Sequence, residues 1–316
     1  MALNGADPEP YKDELRRCID EIKPDNLPHI FRDPGSFQNS HYIITVYPSE
    51  GRRGAFEKKF ASRCVFDMVW EKHLASRVDL MKEFYDMFLA TPITATLAGW
   101  VFEGRVHQVL RTEQTLRLFP ILPRSGRANV IFDDYAASQA GNKSTEFQLT
   151  HSKEYPLVKR AKLVENHYYR LESSNSAAVD SVLLLHPPGE LHVLFMFQMT
   201  LNKTKHGTNL DSLRKIGELD VPLGTRRYLV IVTPENTHPR IAVPLEYFGG
   251  TVPIQNEERN SDESNSDESD SNESEEMDDD EEMGKGKNDG TQWALFRVFH
   301  CPVDMGKLFN KLTVKP

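Results

Sequence analysis

The stretch that most constrains the fold is Tyr168 to His206, YYRLESSNSAAVDSVLLLHPPGELHVLFMFQMTLNKTKH. Two apolar runs, Val179 to Leu185 and Leu191 to Leu201, flank His186-Pro187-Pro188-Gly189. Runs rich in Val, Leu and Phe around a Pro-Gly break predict two neighbouring strands joined as a hairpin. Side chains alternate across a strand, so Gln198 and Thr200 share one face while Phe197 and Met199 take the other. Asp180 stands at the start of the partner strand, and its short carboxylate is expected to converge with Gln198 and Thr200 at one end of the sheet.

The remainder of the chain supplies helices and further strands. Pro8 to Ile22 reads as a helix, with Asp7 at its N-cap and Pro8 at its first position. Tyr42 to Tyr47 (YIITVY) is a short β-rich run closed by Pro48, and Gly51 to Gly54 makes a basic loop. From Ala61 to Ala90 the pattern is helical, with Leu80, Phe84 and Phe88 at fourfold spacing. Thr91-Pro92 opens another helix whose apolar face carries Ile93, Leu97, Trp100 and Val101. Glu103 and His107 lie four residues apart on that helix and therefore on one side. Strands are predicted over Thr115 to Leu122, Asn129 to Phe132, Arg227 to Val232, Ile241 to Val243 and Trp293 to Phe299. Helices are predicted over Gly207 to Leu219 and Pro302 to Leu312. Gly141-Asn142-Lys143-Ser144 resembles the end of a phosphate-binding loop, but position 136, where the motif opens with glycine, is Ala136.

Charge is informative only once it is partitioned. Residues 257 to 283 hold fifteen carboxylates against one arginine, a local charge of −14, which leaves +5 for the rest of a chain totalling −9. A tract of Ser, Asn, Asp and Glu without an apolar face cannot offset a backbone ordering cost of roughly 1–2 kcal/mol per residue, so it is expected to be disordered. Apolar structure resumes after it, which makes it an insertion at 254–290 rather than a tail. Cys18, Cys64 and Cys301 are odd in number and in no metal spacing, as expected of reduced thiols. The apolar runs fall short of the roughly 20 residues that span a bilayer, so no membrane partner is expected. The N-terminus lacks the basic start and apolar core of a secretory signal, and the expected location is intracellular, in cytoplasm or nucleus, with unconventional export into a host left open.

Three segments taken together resemble a known family. GWVFEGRVHQVL, then YYRLESSNSAAVDSVLL, then LFMFQMT with His206 trailing, are similar to the Crinkler-type and retrotransposon-hot-spot-type effector proteins, which carry a domain of the restriction-endonuclease-like PD-(D/E)XK superfamily. The resemblance covers roughly residues 91 to 235. It implies an α/β (α+β) fold with a mixed sheet flanked by helices, residues 91–316 forming the nuclease-type domain and 1–90 resembling the end of a lost ATPase module. It also implies site residues: Glu103 as the helical acid, Asp180 as the metal-binding aspartate of the first strand, and Gln198 with Thr200 as the pair on the next. The implied cofactor is Mg2+ or Mn2+, held by Glu103, Asp180 and the Gln198 amide oxygen, since hard divalent ions prefer oxygen ligands. In the superfamily pattern the strand pair is an acid and a lysine, and Thr200 carries no ammonium; Lys203 or Lys205 is the substitute, though Lys203 has the wrong strand parity unless the strand ends near Leu201.

Two functional readings follow from the site. In one the chain is a metal-dependent nuclease, with Lys159, Arg160, Lys162, Lys205 and His206 holding the nucleic-acid backbone, DNA or RNA. In the other the site is eroded and the same fold binds nucleic acid or a host protein without turnover. The acidic tract likewise has two readings, a solubilising loop or a polyphosphate mimic that occupies the basic face until a basic protein partner displaces it. The mimic makes a prediction: deleting residues 257–283 should tighten nucleic-acid binding at low salt in a filter-binding assay. Unchanged affinity would leave only the solubilising loop or direct recruitment of a basic protein.

Overall fold

A computed structural model describes residues 9–48, 56–90, 94–121, 123–125, 129–132, 144–150, 152–157, 162–171, 179–201, 205–207, 216, 218–235, 237, 240–244 and 296–309. The chain is a mixed α/β protein. Helices come first: α1 (Glu9–Asp20), α2 (Leu27–Arg32) and α3 (Ser40–Ile43), then the antiparallel pair β1 (Ile44–Pro48) and β2 (Phe56–Phe60). α4 (Arg63–Val69) begins where Ser62 Oγ accepts the Val65 N–H at 3.2 Å, a side-chain cap on an orphan donor. It runs on into a π-helical turn (Trp70–Leu74), after which come α5 (Val78–Leu89) and α6 (Ala95–Leu110).

The main sheet is built from β3 (Gln114–Pro120), β6 (Thr145–Leu149), β7 (Glu154–Leu157), β8 (Tyr168–Leu171), β9 (Ser181–Leu185), β10 (Val193–Met199), β12 (Arg226–Pro234) and β14 (Phe296–Val303). Its order is β6-β3-β14-β12-β10-β9-β8-β7. The expected hairpin is present: β9 and β10 pair antiparallel with Val193 opposite Leu185 and Phe197 opposite Ser181. β8 pairs antiparallel with β9, whereas β12 runs parallel to β10 and β14 parallel to β12, so the sheet is mixed. A second sheet joins β4 (Pro123–Ser125), β5 (Asn129–Phe132), β11 (Lys205–Gly207) and β13 (Arg240–Pro244). The described chain closes with α7 (Met305–Leu308), capped by Asp304.

Alternation along β10 divides the interior into two cores. Val193, Phe195 and Phe197 enter one, shared with Val101, Phe102 and Val106 of α6 and with side chains from Leu15 to Phe309. Leu194 and Met196 enter the other, shared with Leu229 and Ile231 of β12 and Ile241 and Val243 of β13. Burying each such side chain contributes about 1.5–3 kcal/mol, which is why a central strand covered on both faces tolerates few polar groups.

Several expectations shift in detail. Gly207, expected to open a helix, is the last residue of β11, and most of the predicted 207–219 helix lies outside the described residues. Pro302 belongs to β14, so the terminal helix starts at Met305. Asp7 and Pro8, residues 141–143 and the 254–290 insertion also lie outside them. No helix among the described residues is long and apolar enough to cross a membrane.

One close approach governs how α6 seats. A Cβ on Gly104 would stand 2.7–2.9 Å from three atoms of the Trp70 indole, while a Cβ on Gly99 would meet nothing within 4 Å. Gly104→Ala is therefore expected to destabilise by about 1–3 kcal/mol through overpacking. Gly99→Ala on the same helix should stabilise by up to about 1 kcal/mol through helix propensity. Urea unfolding of the two variants checks the contrast, and equal effects would contradict the packing.

Candidate functional site

A cleft of ≈ 570 Å³ opens beside the head of β9 and is lined by five carboxylates, Asp67, Glu71, Glu103, Glu154 and Asp180, and by two guanidiniums, Arg63 and Arg170. Glu103 reaches it from the middle of α6, Arg63 from the first turn of α4, Arg170 from β8 and Asp180 from the bend just before β9. The sheet and two helices thus bring together residues more than a hundred positions apart.

Glu103 is half-buried and gripped. Arg63 Nη1 and Nη2 donate to its two oxygens at 3.1 and 2.9 Å, and Arg63 Nε donates to Asp67 at 2.9 Å. The guanidinium also lies over the Trp100 ring, 5.3 Å from its centroid. Arg170 Nη2 stands 3.7 Å away from Glu103, and His107 Nε2 3.6 Å away. Burial pushes the Glu103 carboxyl up, but the facing His107 and the two-pronged Arg63 outweigh it and hold the group down at about 2. Glu103 is therefore an anion at neutral pH.

Behind it runs a buried polar relay. His107 Nδ1 lies 2.6 Å from the Tyr168 hydroxyl, which lies 2.6 Å from Ser181 Oγ. Burial lowers the His107 pKa, so the ring is neutral with a single N–H. Placing that hydrogen on Nε2 aims it at the Glu103 anion and leaves Nδ1 to accept from Tyr168, whose oxygen then accepts from Ser181.

Asp180 is perturbed the other way. Burial, and next the Glu103 charge, push its carboxyl up from 3.8 to about 7, against the opposing pull of the Met199 N–H, Arg63 and Arg170. Its Oδ2 accepts the Met199 N–H at 2.6 Å and its own N–H donates to Phe197 O at 2.7 Å, fixing it against the end of β10. Two carboxyl groups thus share one cleft with their pKa values displaced in opposite directions, Glu103 down and Asp180 up.

The other expected residues fall elsewhere. Gln198 lies one step beyond the Phe197–Ser181 pair and so stands opposite Asp180 in register, yet it does not line the cleft. Its neighbours by alternation, Leu194 and Met196, face the second core, and its buried Oε1 finds no hydrogen-bond partner among the described residues. Thr200 is buried outside the cleft, its N–H bonded to Val232 O at 3.0 Å. Lys205 and His206 sit on β11 beside β13, in the second sheet. Lys162 is exposed and bridges to Asp220 through its backbone. Lys159, Arg160 and Lys203 lie outside the described residues.

Sequence reasoning missed Arg63, Arg170 and Glu154. Arg63 and Asp67 stand at i,i+4 spacing just past a serine cap, a readable ion-pair signal that the apolar stripe of the same helix overshadowed. Arg170 and Glu154 carried no local signal, because their roles arise from β7 and β8 lying side by side. Comparison with family models, curated proteins and solved structures gave no match to this chain.

The Asp180 shift sets a pH dependence. A carboxyl that holds its proton more tightly folded than unfolded subtracts stability as pH rises from about 4 to about 7. Asp180→Asn keeps an oxygen for the Met199 N–H and removes the charge, so its unfolding free energy should gain on the parent across that interval. Urea titrations at about pH 4 and about pH 7.5 measure it; a difference that does not change with pH would contradict the burial of Asp180.

Proposed function

We propose that this chain is a metal-dependent phosphodiesterase acting on nucleic acid, with a restriction-endonuclease-like domain of the Crinkler and retrotransposon-hot-spot type. The observation that carries the reading is the meeting of Glu103, from α6, and Asp180, from the head of β9, the first strand of the hairpin, in one cleft rich in carboxylates. That is the order of acids the resemblance implies. The donor set suits a hard divalent ion: the oxygens are carboxylates, and a cation between the two acids would relieve the Glu103 repulsion that adds to burial in raising Asp180.

Mg2+ or Mn2+ held by Asp180 and Glu103 would polarise a phosphodiester and lower the pKa of a bound water. The chain's own groups do the rest. Arg170, only 3.7–3.9 Å from two carboxylates and in no tight bond to either, is the cation best placed to turn toward a phosphate oxygen. Arg63 orients Glu103, and the His107–Tyr168–Ser181 relay keeps the α6 acid in register with β9. The Met199 N–H aims the Asp180 carboxylate into the cleft.

One observation favours a second reading, a binding module without turnover. Arg63 already satisfies both oxygens of Glu103, and Gln198 sits outside the cleft, so a ligand set of Glu103, Asp180 and Gln198 needs side chains to move. Divalent-metal calorimetry and a nuclease assay separate the two. The phosphodiesterase reading expects full-length protein with Mg2+ or Mn2+ to cut DNA or RNA, and Asp180→Ala and Glu103→Gln to lose at least about a hundredfold in rate, as removal of a charge-stabilising group does. Full activity in Asp180→Ala would overturn the site. Nucleic-acid binding that ignores chelator, with no divalent ion bound at millimolar levels, would leave the binding module.

A further inference from the structure

At the far end of the hairpin from the cleft, three side chains converge that neither the fold nor the proposed chemistry uses. His186 follows β9 directly, His192 precedes β10 directly, and Glu165 lies in the connection leading to β8. Because β9 begins at the cleft and ends here, the two regions are roughly 20 Å apart at about 3.3 Å per residue. Among the described residues, this is the one group of three His, Cys, Asp or Glu whose ligand atoms all lie within 4.8 Å of one another.

The turn between the histidines is rigid. Pro188 and Gly189, the latter at φ +76, occupy its centre, and the Glu190 N–H closes it onto Pro187 O at 3.1 Å. Proline followed by a glycine at positive φ is a type II turn, which restricts the positions of His186 and His192 at its base. The His192 carbonyl is further held by the Arg226 N–H at 2.8 Å. Glu165 is tethered too: its carbonyl meets His167 Nδ1 at 2.9 Å, and the next residue, Asn166 at φ 59, donates its N–H to Leu184 O at 2.9 Å. An asparagine in the left-handed region is the residue type that tolerates such a bend.

The three groups gather within ligand reach of one point, and the near-parallel rings must turn about their side-chain torsions before both nitrogens can face it. The two imidazoles stack with centroids 4.1 Å apart and planes 11° apart. Each brings a ring nitrogen near the same carboxylate oxygen, Glu165 Oε1: His192 Nε2 hydrogen-bonds to it at 2.7 Å and His186 Nδ1 lies 3.9 Å away. The second distance is too long for a hydrogen bond. The hydrogen bond to Glu165 therefore uses only His192, and the His186 nitrogen stands beside the same oxygen without reaching it. A cation among the three uses all of them.

We propose that Glu165, His186 and His192 form a binding site for a divalent transition metal of the zinc class, with three protein ligands and a fourth position open to solvent. Imidazole nitrogen with carboxylate oxygen is a donor set for zinc rather than magnesium. Bonds of about 2.0–2.1 Å place tetrahedral ligand atoms roughly 3.3 Å apart, so the 2.7 Å contact opens and the 3.9 Å contact closes by about half an ångström each. Side chains 46%, 45% and 21% exposed for Glu165, His186 and His192 have room for that adjustment and are open to an ion from solution. The bound ion would tie the lead-in of β8 to the β9–β10 turn, stabilising the central hairpin from the end opposite the cleft.

Isothermal calorimetry of the full chain, stripped with chelator and titrated with ZnCl2, tests the site, with the visible absorption of Co2+ as a geometry-sensitive second probe. With Mg2+ in excess to occupy the cleft carboxylates, the expected result is one Zn2+ per chain at the histidine site with a rise in the thermal midpoint. Affinity should fall by about tenfold or more in His192→Ala and in the milder Glu165→Gln and His186→Gln, with circular dichroism confirming that the variants fold. Asp180→Asn should bind Zn2+ as the parent does, and excess Mg2+ should not displace it. Absence of Zn2+ binding, affinity unchanged in all three ligand variants, or loss of binding in Asp180→Asn with the ligand variants unaffected would each overturn the proposal. None of these results depends on nuclease activity, so the failure of one reading leaves the other standing.

Discussion

The structure depends on β10 being covered on both faces. A strand with water on neither side must send every residue into one apolar core or the other, and Val193 to Met196 do so without interruption. Its antiparallel neighbour β9 and its parallel neighbour β12 inherit the same division, which carries the partition across the sheet. Polar side chains are then pushed to the strand ends, and chemistry collects there: Asp180 at one end, and His186 and His192 at the other.

Electrostatics at the cleft follow from that arrangement. α6 lies on the core that receives Phe195 and Phe197, and it delivers Glu103 to the same end of β9 as Asp180. Two acids in a poorly solvated cleft cannot share charge equally. Arg63 takes up Glu103, and Asp180, raised first by its own burial and then by the Glu103 charge, holds its proton more tightly. A buried ion pair of this kind is a positioning device more than a source of stability, because desolvation offsets most of its Coulombic gain. Removing only Arg63 would leave Glu103 buried without its main partner.

Much of the fold was legible from residue patterns. The Pro-Pro-Gly break between two β-rich runs announced the hairpin, the fourfold Leu80-Phe84-Phe88 spacing announced α5, and Glu103 with His107 shared a helix face as their spacing requires. These are short-range regularities, and short-range sterics and burial enforce them. The cleft was legible only by half. Asp180 and Glu103 were identifiable, but Arg63, Arg170 and Glu154 enter it through contacts between elements far apart in the chain, for which no local spacing exists. Gln198 shows the limit of parity: alternation pairs it with Asp180 in register, yet does not say on which face a helix will lie.

What the sequence by itself determined is the strongly patterned elements, β9, β10 and β12 with α5 and α6, and the turn that joins β9 to β10, because each is a consequence of backbone geometry acting over a few residues; short edge strands such as β6 and β7 carried no such pattern. What only the tertiary structure decided is which polar groups meet. Asp180 looks out on Glu103 and two arginines rather than on Gln198 and Thr200, and Glu165 joins His186 and His192 across a loop and a turn. The physical reason is that a core is chosen by burial of apolar area, which is insensitive to the identity of the polar residues at its rim. Those residues take the neighbours that packing assigns to them.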